Sequence, residues 1–187
     1  MSAIEPFLQR NRTFAESDAR SAMTLRPPRA PIFVITCIDP RVDPAAFLGV
    51  GLGDAIVLRN AGGRVSEAAI SDIAFISYLG EKLNPDASAP LEVAVIHHTQ
   101  CGTGFLADDT FRHGFARRTG FDDAALAAEA VTDPTVTVTT DVERLLASPL
   151  ATGFITVSGH VYDLATGLVS TVLPPAAPHL SVGRGAA

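Results

Sequence analysis

The 187-residue sequence contains no tryptophan, only two cysteines and few basic residues. Two cysteines cannot form the disulfide framework of a small secreted protein, so we interpret them as reduced thiols and expect a cytoplasmic location. Lys and Arg number 14 against 20 Asp and Glu, which gives a net charge of −6. This argues against a nucleic acid or an anionic membrane as partner, because binding phosphates requires an excess of basic residues. The basic cluster of Arg112, His113, Arg117 and Arg118 is better explained as a solvated or interface surface.

Long apolar runs are missing as well. No run approaches the ~20 residues that span a membrane, and the first residues lack the basic start and apolar stretch of a secretion signal. Hydrophobic residues make up 47% and charged residues 18%, a balance typical of a globular protein whose length suits one domain. We predict an N-terminal helical arm and linker (1–30), a main domain (31–174) and a flexible C-terminal tail (175–187).

Short runs rich in β-branched residues dominate the domain, and segments with helical patterns separate them. Such runs, without polar alternation, are typical of strands covered on both faces of a parallel sheet. We therefore predict an α/β fold, a mostly parallel sheet of four strands with an antiparallel edge strand, flanked by helices. The turn sequence DLATG starts the edge strand, and Asp141 is predicted to cap the last helix. The predicted strands are 31–37, 54–60, 91–97 and 153–163, and the predicted helices are 44–49, 66–82, 103–117, 121–130 and 141–148.

Both cysteines fall at predicted strand ends. Cys37 ends the first strand, while His98 and Cys101 follow the third. Carboxyl ends of parallel strands meet at one edge of a sheet, so two thiolates and one imidazole can converge on a zinc ion with its fourth position open, as in catalytic sites. His97 competes for the ligand role, but the two-residue spacing to Cys101 favours His98. Each cysteine taken alone is more often a small buried apolar residue, and only the joint pattern points to a metal.

Glycine-rich segments give a weaker signal. The sequence RNAGG ends the second predicted strand, on the same edge of the sheet, so we expect Asn60, Ala61 and Gly62 to line the site. The earlier GVGLGD segment does not follow the first strand directly and is interpreted as a loop rather than a dinucleotide-binding motif.

These motifs together resemble a known family. CIDPR at 37–41 and HHTQCG at 97–102 are similar to the Cys-x-Asp-x-Arg and His-x-x-Cys-Gly motifs of the β-class carbonic anhydrases. The resemblance covers about residues 25 to 173, through LRNAGG and GHVYDLATG. It implies one zinc per chain on Cys37, His98 and Cys101, a catalytic pair of Asp39 and Arg41, and a dimer as the smallest working unit. Gly102, within the second motif, is expected to join the substrate pocket.

The resemblance implies reversible hydration of carbon dioxide to bicarbonate by a zinc-bound hydroxide. Similar proteins hydrolyse carbonyl sulfide or carbon disulfide on the same fold and zinc shell, and this remains an alternative, since all three substrates are linear and apolar. A non-catalytic zinc or thiol redox sensor is a third reading, which the presence of Asp39 and Arg41 disfavours. We expect a homodimer or tetramer, because Ile4, Phe7 and Phe14 of the N-terminal segment have little in that segment to cover them.

Two positions depart from the family pattern. Pro40 stands between the catalytic pair where Ser or Ala is common, and Val34 stands where some members carry the Trp of an inhibitory bicarbonate pocket. Proline restricts the backbone between Asp39 and Arg41. We therefore predict that Asp39 points to Arg41 at neutral pH and leaves the metal open to water.

Overall fold

A five-stranded sheet forms the centre of the molecule in the computed structural model, which describes residues 2–20, 28–151 and 155–178. The strand order is β2-β1-β3-β4-β5; the first four strands pair in parallel and β5 pairs antiparallel with β4. The predicted fold class is therefore confirmed, including the antiparallel edge. The strands are β1 (Ile32–Cys37), β2 (Ile56–Asn60), β3 (Leu91–His98), β4 (Ile155–Tyr162) and β5 (Val169–Ala176).

The helices connect the strands. α3 starts at Ser66, whose side chain accepts from Ala69 N, as expected of an N-cap. Among the residues that the structure describes, three short 3₁₀ segments lie in the loops, and two of them follow strand ends. The helices are α1 (Glu5–Glu16), α2 (Pro44–Phe47), α3 (Glu67–Leu83), α4 (Asp109–Thr119), α5 (Asp123–Ala128) and α6 (Pro134–Leu146), and the 3₁₀ segments are Asp18–Arg20, Ala61–Gly63 and Gly102–Ala107.

The main core lies between one face of the sheet and helices α3 and α6. Alternate residues of the central strands, such as Ile35 and Val95, pack there against Ile73 of α3 and Val142 of α6, and all four are buried. Burying a side chain of this size contributes roughly 1.5–3 kcal/mol. The core thus fixes the central strands, and with them the strand ends where the cysteines lie.

The prediction that Asp141 caps a helix is wrong. α6 begins at Pro134, and Asp133 is the cap, accepting from Thr135 N and Val136 N. Asp141 lies in the middle of the helix with its side chain fully buried. Local pattern misled here because TVTVTT has low intrinsic helix propensity, which tertiary packing of Val138 and Val142 overrides.

Both ends of the chain are partly described. α1 lies inside the predicted arm, and residues 21–27 fall outside the described residues. At the other end β5 continues to Ala176, two residues beyond the boundary predicted at 174. Residues 179–187, most of the predicted tail, also lie outside the described part. Within the described residues, no helix is long and apolar enough to cross a membrane.

Candidate metal centre

The side chains of Cys37, His98 and Cys101 meet at the carboxyl edge of the parallel sheet. One ligand atom from each residue lies within 4.8 Å of the others, and the two sulfurs are 3.9 Å apart. All three residues are buried. β1 and β3 are neighbours and parallel, so their ends bring these residues together across 64 positions of sequence.

The chemistry of these atoms fits a soft divalent cation. His98 Nδ1 lies 2.9 Å from the carbonyl oxygen of Thr99, so this nitrogen carries the proton and Nε2 keeps a free lone pair. Nε2 is buried and has no hydrogen-bond partner among the described residues. A buried nitrogen lone pair beside two thiols is a donor set that zinc prefers.

The two thiols titrate as a pair. A hydrogen bond with Cys37 lowers the pKa of Cys101 to about 6, with help from the Thr103 hydroxyl 3.2 Å from its sulfur. The same contact with Cys101, together with burial, raises the pKa of Cys37 to about 12. The pair thus releases its first proton readily and holds the second, and a divalent cation would favour loss of both.

Asp39 and Arg41 form a two-bond ion pair beside the cysteines. Arg41 donates from Nε to Asp39 Oδ1 at 2.9 Å and from Nη2 to Oδ2 at 2.6 Å, and the Arg41 backbone N–H also donates to Oδ1. These bonds lower the pKa of Asp39 to about 2. The side chain of Asp39 therefore points to Arg41, while a metal position left open to water at neutral pH stays a prediction. Arg41 Nη2 also donates to Gln100 O at 3.0 Å, which ties the pair to the turn between His98 and Cys101.

The predicted pocket residues differ in their placement. Asn60 turns its amide toward the Arg64 backbone, which it contacts at 2.7 and 2.8 Å, so it closes its own loop. Ala61 and Gly102 are exposed, whereas Gly62 is buried.

Sequence reasoning missed several polar residues around the centre. Arg59 donates to Cys37 O at 2.9 Å and to Asp39 O at 2.7 Å, and so clamps the turn that carries both. Arg64 is buried and pairs with Asp141. Arg59 and Arg64 flank the RNAGGR segment, and two arginines bordering a predicted site loop are a signal that could have singled them out.

His97, the competing candidate for the ligand role, does not join the cysteines. Its ring is buried on the side of α6, with Nδ1 2.8 Å from Thr137 Oγ1 and Nε2 3.2 Å from Asp141 Oδ2. Neighbouring strand residues point to opposite faces, so His97 and His98 separate as the sequence predicts.

Fold and site together define an α/β protein with a Cys/His/Cys cluster, suited to a metal, at the carboxyl edge of a parallel sheet. A carbonic anhydrase family model matches residues 32–119. The solved structure of carbonic anhydrase from Streptococcus mutans superposes with a TM-score of 0.72 at 31% identity, covering 92% of this chain and 98% of that one. The chain belongs to the β-carbonic anhydrase family and is an enzyme of that family.

Curated relatives include two kinds of enzyme. β-Carbonic anhydrase 1 of Mycobacterium tuberculosis is 29% identical over 175 residues, which cover 93% of this chain and all of the relative. A carbon disulfide hydrolase of Acidithiobacillus thiooxidans is 26% identical over 174 residues, covering 82% of this chain and 79% of the relative. The family is thus clear, and the substrate is a separate question.

Proposed function

We propose that the protein catalyses the reversible hydration of carbon dioxide to bicarbonate, with one zinc ion held by Cys37, His98 and Cys101. The observation that carries this is the meeting of three ligand atoms within 4.8 Å beside the Asp39–Arg41 ion pair. Three protein ligands leave a fourth position for water, which is the arrangement of catalytic rather than structural zinc. Bound zinc would lower the pKa of that water to about 7.

The chain's own residues orient the reacting groups. Asp39 stays ionised, because its pKa is about 2, and so it accepts hydrogen bonds only. Oδ1 is occupied by two donors of Arg41 and Oδ2 by one. A carboxylate oxygen has two lone pairs, so Oδ2 keeps one for the proton of a nucleophilic hydroxyl. Accepting a hydrogen bond from that hydroxyl would turn the hydroxyl's own lone pair toward the carbon of the substrate.

Hydrolysis of carbonyl sulfide or carbon disulfide is the second candidate. The observation that favours it is the similarity to the carbon disulfide hydrolase of A. thiooxidans. The ligand cluster and the ion pair would serve both reactions, since each needs attack by an oxygen nucleophile on the carbon of a linear apolar molecule. A redox sensor without catalysis is disfavoured by membership in an enzyme family.

A paired assay separates the two enzymes. Purified protein is loaded with zinc, and stopped-flow pH-indicator kinetics measure carbon dioxide hydration while sulfide release is measured from carbonyl sulfide and carbon disulfide. We expect rapid hydration and slow or absent sulfide release, with Asp39→Asn inactive toward all three. Rapid sulfide release without hydration would replace our proposal with the second candidate.

We further propose that the protein assembles as a homodimer or tetramer and acts in the cytoplasm. α1 presents exposed apolar side chains, including Phe7 at 57% exposure, that the described residues leave uncovered. Both cysteines are free thiols, and a reducing compartment keeps thiols available to a metal.

A further inference from the structure

A buried carboxylate lies behind the metal centre, on the side of α6. Asp141 is fully buried and accepts from Arg64 Nε at 2.7 Å, from Arg64 Nη2 at 3.0 Å and from Val65 N at 3.1 Å. Its Oδ2 also lies 3.2 Å from His97 Nε2. Asp141 contacts none of the three proposed ligands. Its partners, however, lie in two segments that contact or carry those ligands.

The first segment is the loop that Arg64 ends. Asn60 closes this loop on the Arg64 backbone, and Gly63 between them has φ +68°. A Cβ at Gly63 would lie 2.9 Å from Thr36 C and 3.0 Å from Cys37 N. The loop therefore rests directly on the backbone of the first ligand.

The same loop reaches the third ligand. A Cβ at Gly62 would lie 3.1 Å from Thr103 Oγ1, and that hydroxyl is 3.2 Å from Cys101 Sγ. Displacement of the loop would therefore disturb the backbone of Cys37 and the Thr103 hydroxyl beside Cys101 Sγ. Arg64 fixes the loop in turn, because its guanidinium is held by two bonds to Asp141 and one to Ala128 O at 2.9 Å.

The second segment is the end of β3. The ring of His97 lies against α6, with Nδ1 2.8 Å from Thr137 Oγ1 and Nε2 3.2 Å from Asp141 Oδ2, the second contact lacking hydrogen-bond geometry. His98 follows it and turns to the opposite face, toward the cysteines. With the ring of His97 fixed on one side, the backbone that presents His98 on the other side is fixed too.

Stability alone does not account for this network. A buried ion pair is costly to desolvate, and replacing one by apolar residues of the same volume is often neutral or stabilising. Burial by itself would raise the pKa of Asp141, but His97 and Arg64 outweigh it and hold that pKa below its ordinary range. The carboxylate is thus kept charged in a place where an apolar side chain could fill the space.

We infer that Asp141 is a positioning residue for the metal centre: through Arg64 and His97 it holds the two segments that flank all three ligands. The inference rests on the proposed function, since it requires that Cys37, His98 and Cys101 bind zinc. Asp141 itself touches no ligand and takes no part in the reaction.

Zinc affinity tests this directly. Asp141→Asn keeps the size of the side chain and removes its charge, and Glu129→Gln is the matched control, because Glu129 Oε2 lies 4.0 Å from Arg64 Nη1 and is partly exposed. Competition with a chromophoric chelator measures zinc affinity in folded protein, and the visible absorption of the cobalt-substituted protein reports ligand geometry. We expect a roughly 10- to 100-fold loss of zinc affinity and altered cobalt bands for Asp141→Asn, and neither change for Glu129→Gln.

A second variant covers the case in which Asp141→Asn does not fold. Arg64→Lys keeps the positive charge but cannot form the two-bond fork, so it should lose zinc affinity to a smaller extent. Wild-type affinity and unchanged cobalt bands in either folded variant would overturn the inference while leaving the proposed function intact. A wild-type protein that binds no zinc would overturn both.

Discussion

At the scale of single residues, the arrangement of donors separates metal binding from catalysis. The three proposed ligands form one group within 4.8 Å. The side chains of Asp39 and Arg41 stand beside them and bond to each other, and the Asp39 backbone N–H donates to Cys37 Sγ at 3.4 Å. Loss of a ligand should therefore remove the metal, whereas loss of the ion pair should spare it.

The first prediction concerns the ligands. Cys37→Ser, His98→Ala and Cys101→Ser should each reduce zinc from about one per chain to a small fraction, because two remaining ligands bind zinc weakly. Metal analysis after dialysis checks this, with His113→Ala as the control, because His113 is an exposed histidine of α4 that lies beside Asp123. Full zinc in any of the three ligand variants would refute the site.

The second prediction concerns Arg41. Arg41→Ala frees Asp39 from both of its side-chain bonds, so Asp39 can turn to the metal and block it. We expect zinc content to stay at the wild-type level and hydration activity to fall on the order of 100-fold or more. Parallel metal analysis and stopped-flow assays measure both quantities.

Arg29→Ala provides the matched control for that variant. Arg29 also pairs with an aspartate, Asp54, at 2.6 Å, but these residues precede β1 and β2, at the opposite edge of the sheet from the metal centre. Its activity should equal that of the wild type. An active Arg41→Ala variant would contradict the role given to the pair.

At the scale of elements, the loop between β2 and α3 is fitted to the end of β1. Gly63 adopts φ +68°, a conformation that costs other residues about 1–2 kcal/mol. Its α-carbon also faces the backbone of Thr36 and Cys37 too closely for a methyl group. Backbone atoms of a central strand cannot move aside at low cost. Both the positive φ and the close approach to β1 therefore require glycine at this position.

Gly63→Ala should therefore lower the free energy of unfolding by about 2–5 kcal/mol, the sum of the strained φ and the overpacking. Gly120→Ala is the control, because Gly120 has φ +76° and open space around its α-carbon, so it should cost only about 1–2 kcal/mol. Urea denaturation of the two variants gives the difference. Equal losses would show that the contact with β1 is unimportant.

The free energy of unfolding should depend on pH through Asp141, in the middle of helix α6. Arg64 and His97 lower the pKa of this carboxyl in the folded protein, whereas in the unfolded chain it takes its ordinary value near 4. The unfolded state thus binds the proton first as pH falls, and the stabilisation present above about pH 5 is lost progressively below it. Between pH 6 and pH 3, urea denaturation should show that Asp141→Asn loses less free energy of unfolding than the wild type. Equal losses in the two proteins would contradict this account.

At the scale of the whole molecule, α1 is a helix that the described part of the chain leaves exposed. None of its residues is buried, and Phe7 and Leu8 are 57% and 43% exposed. Exposed apolar side chains on one side of a helix commonly mark a protein interface. We expect them to pack against a second copy.

Phe7→Ser should accordingly weaken self-association, with little effect on the stability of the monomer, because the side chain is already exposed there. Sedimentation velocity at micromolar concentration measures the change, and Gln9→Ala, on the other side of α1, is the control. A wild-type protein that sediments as a monomer with full activity would overturn the proposed assembly.

The sequence by itself determined the sheet and the proposed ligands. Runs such as 31–37 and 91–97 follow local patterns of β-branched residues, and the motifs at 37–41 and 97–102 keep their chemistry within a few positions. The side-chain pattern that favours a strand and the spacing within each motif both lie within a few positions, so the sequence alone predicts them. Because parallel strands align their carboxyl ends, the approach of Cys37 to Cys101 could also be anticipated.

Only the tertiary structure decided the surroundings of the centre. Asp141 looked like a helix cap, and its true partner, Arg64, is 77 positions away in the sequence. No short-range pattern encodes that pairing, because it depends on how α6 packs against the sheet. The start of α6 at Pro134 was missed for the same reason, since buried valines rather than intrinsic propensity stabilise this helix.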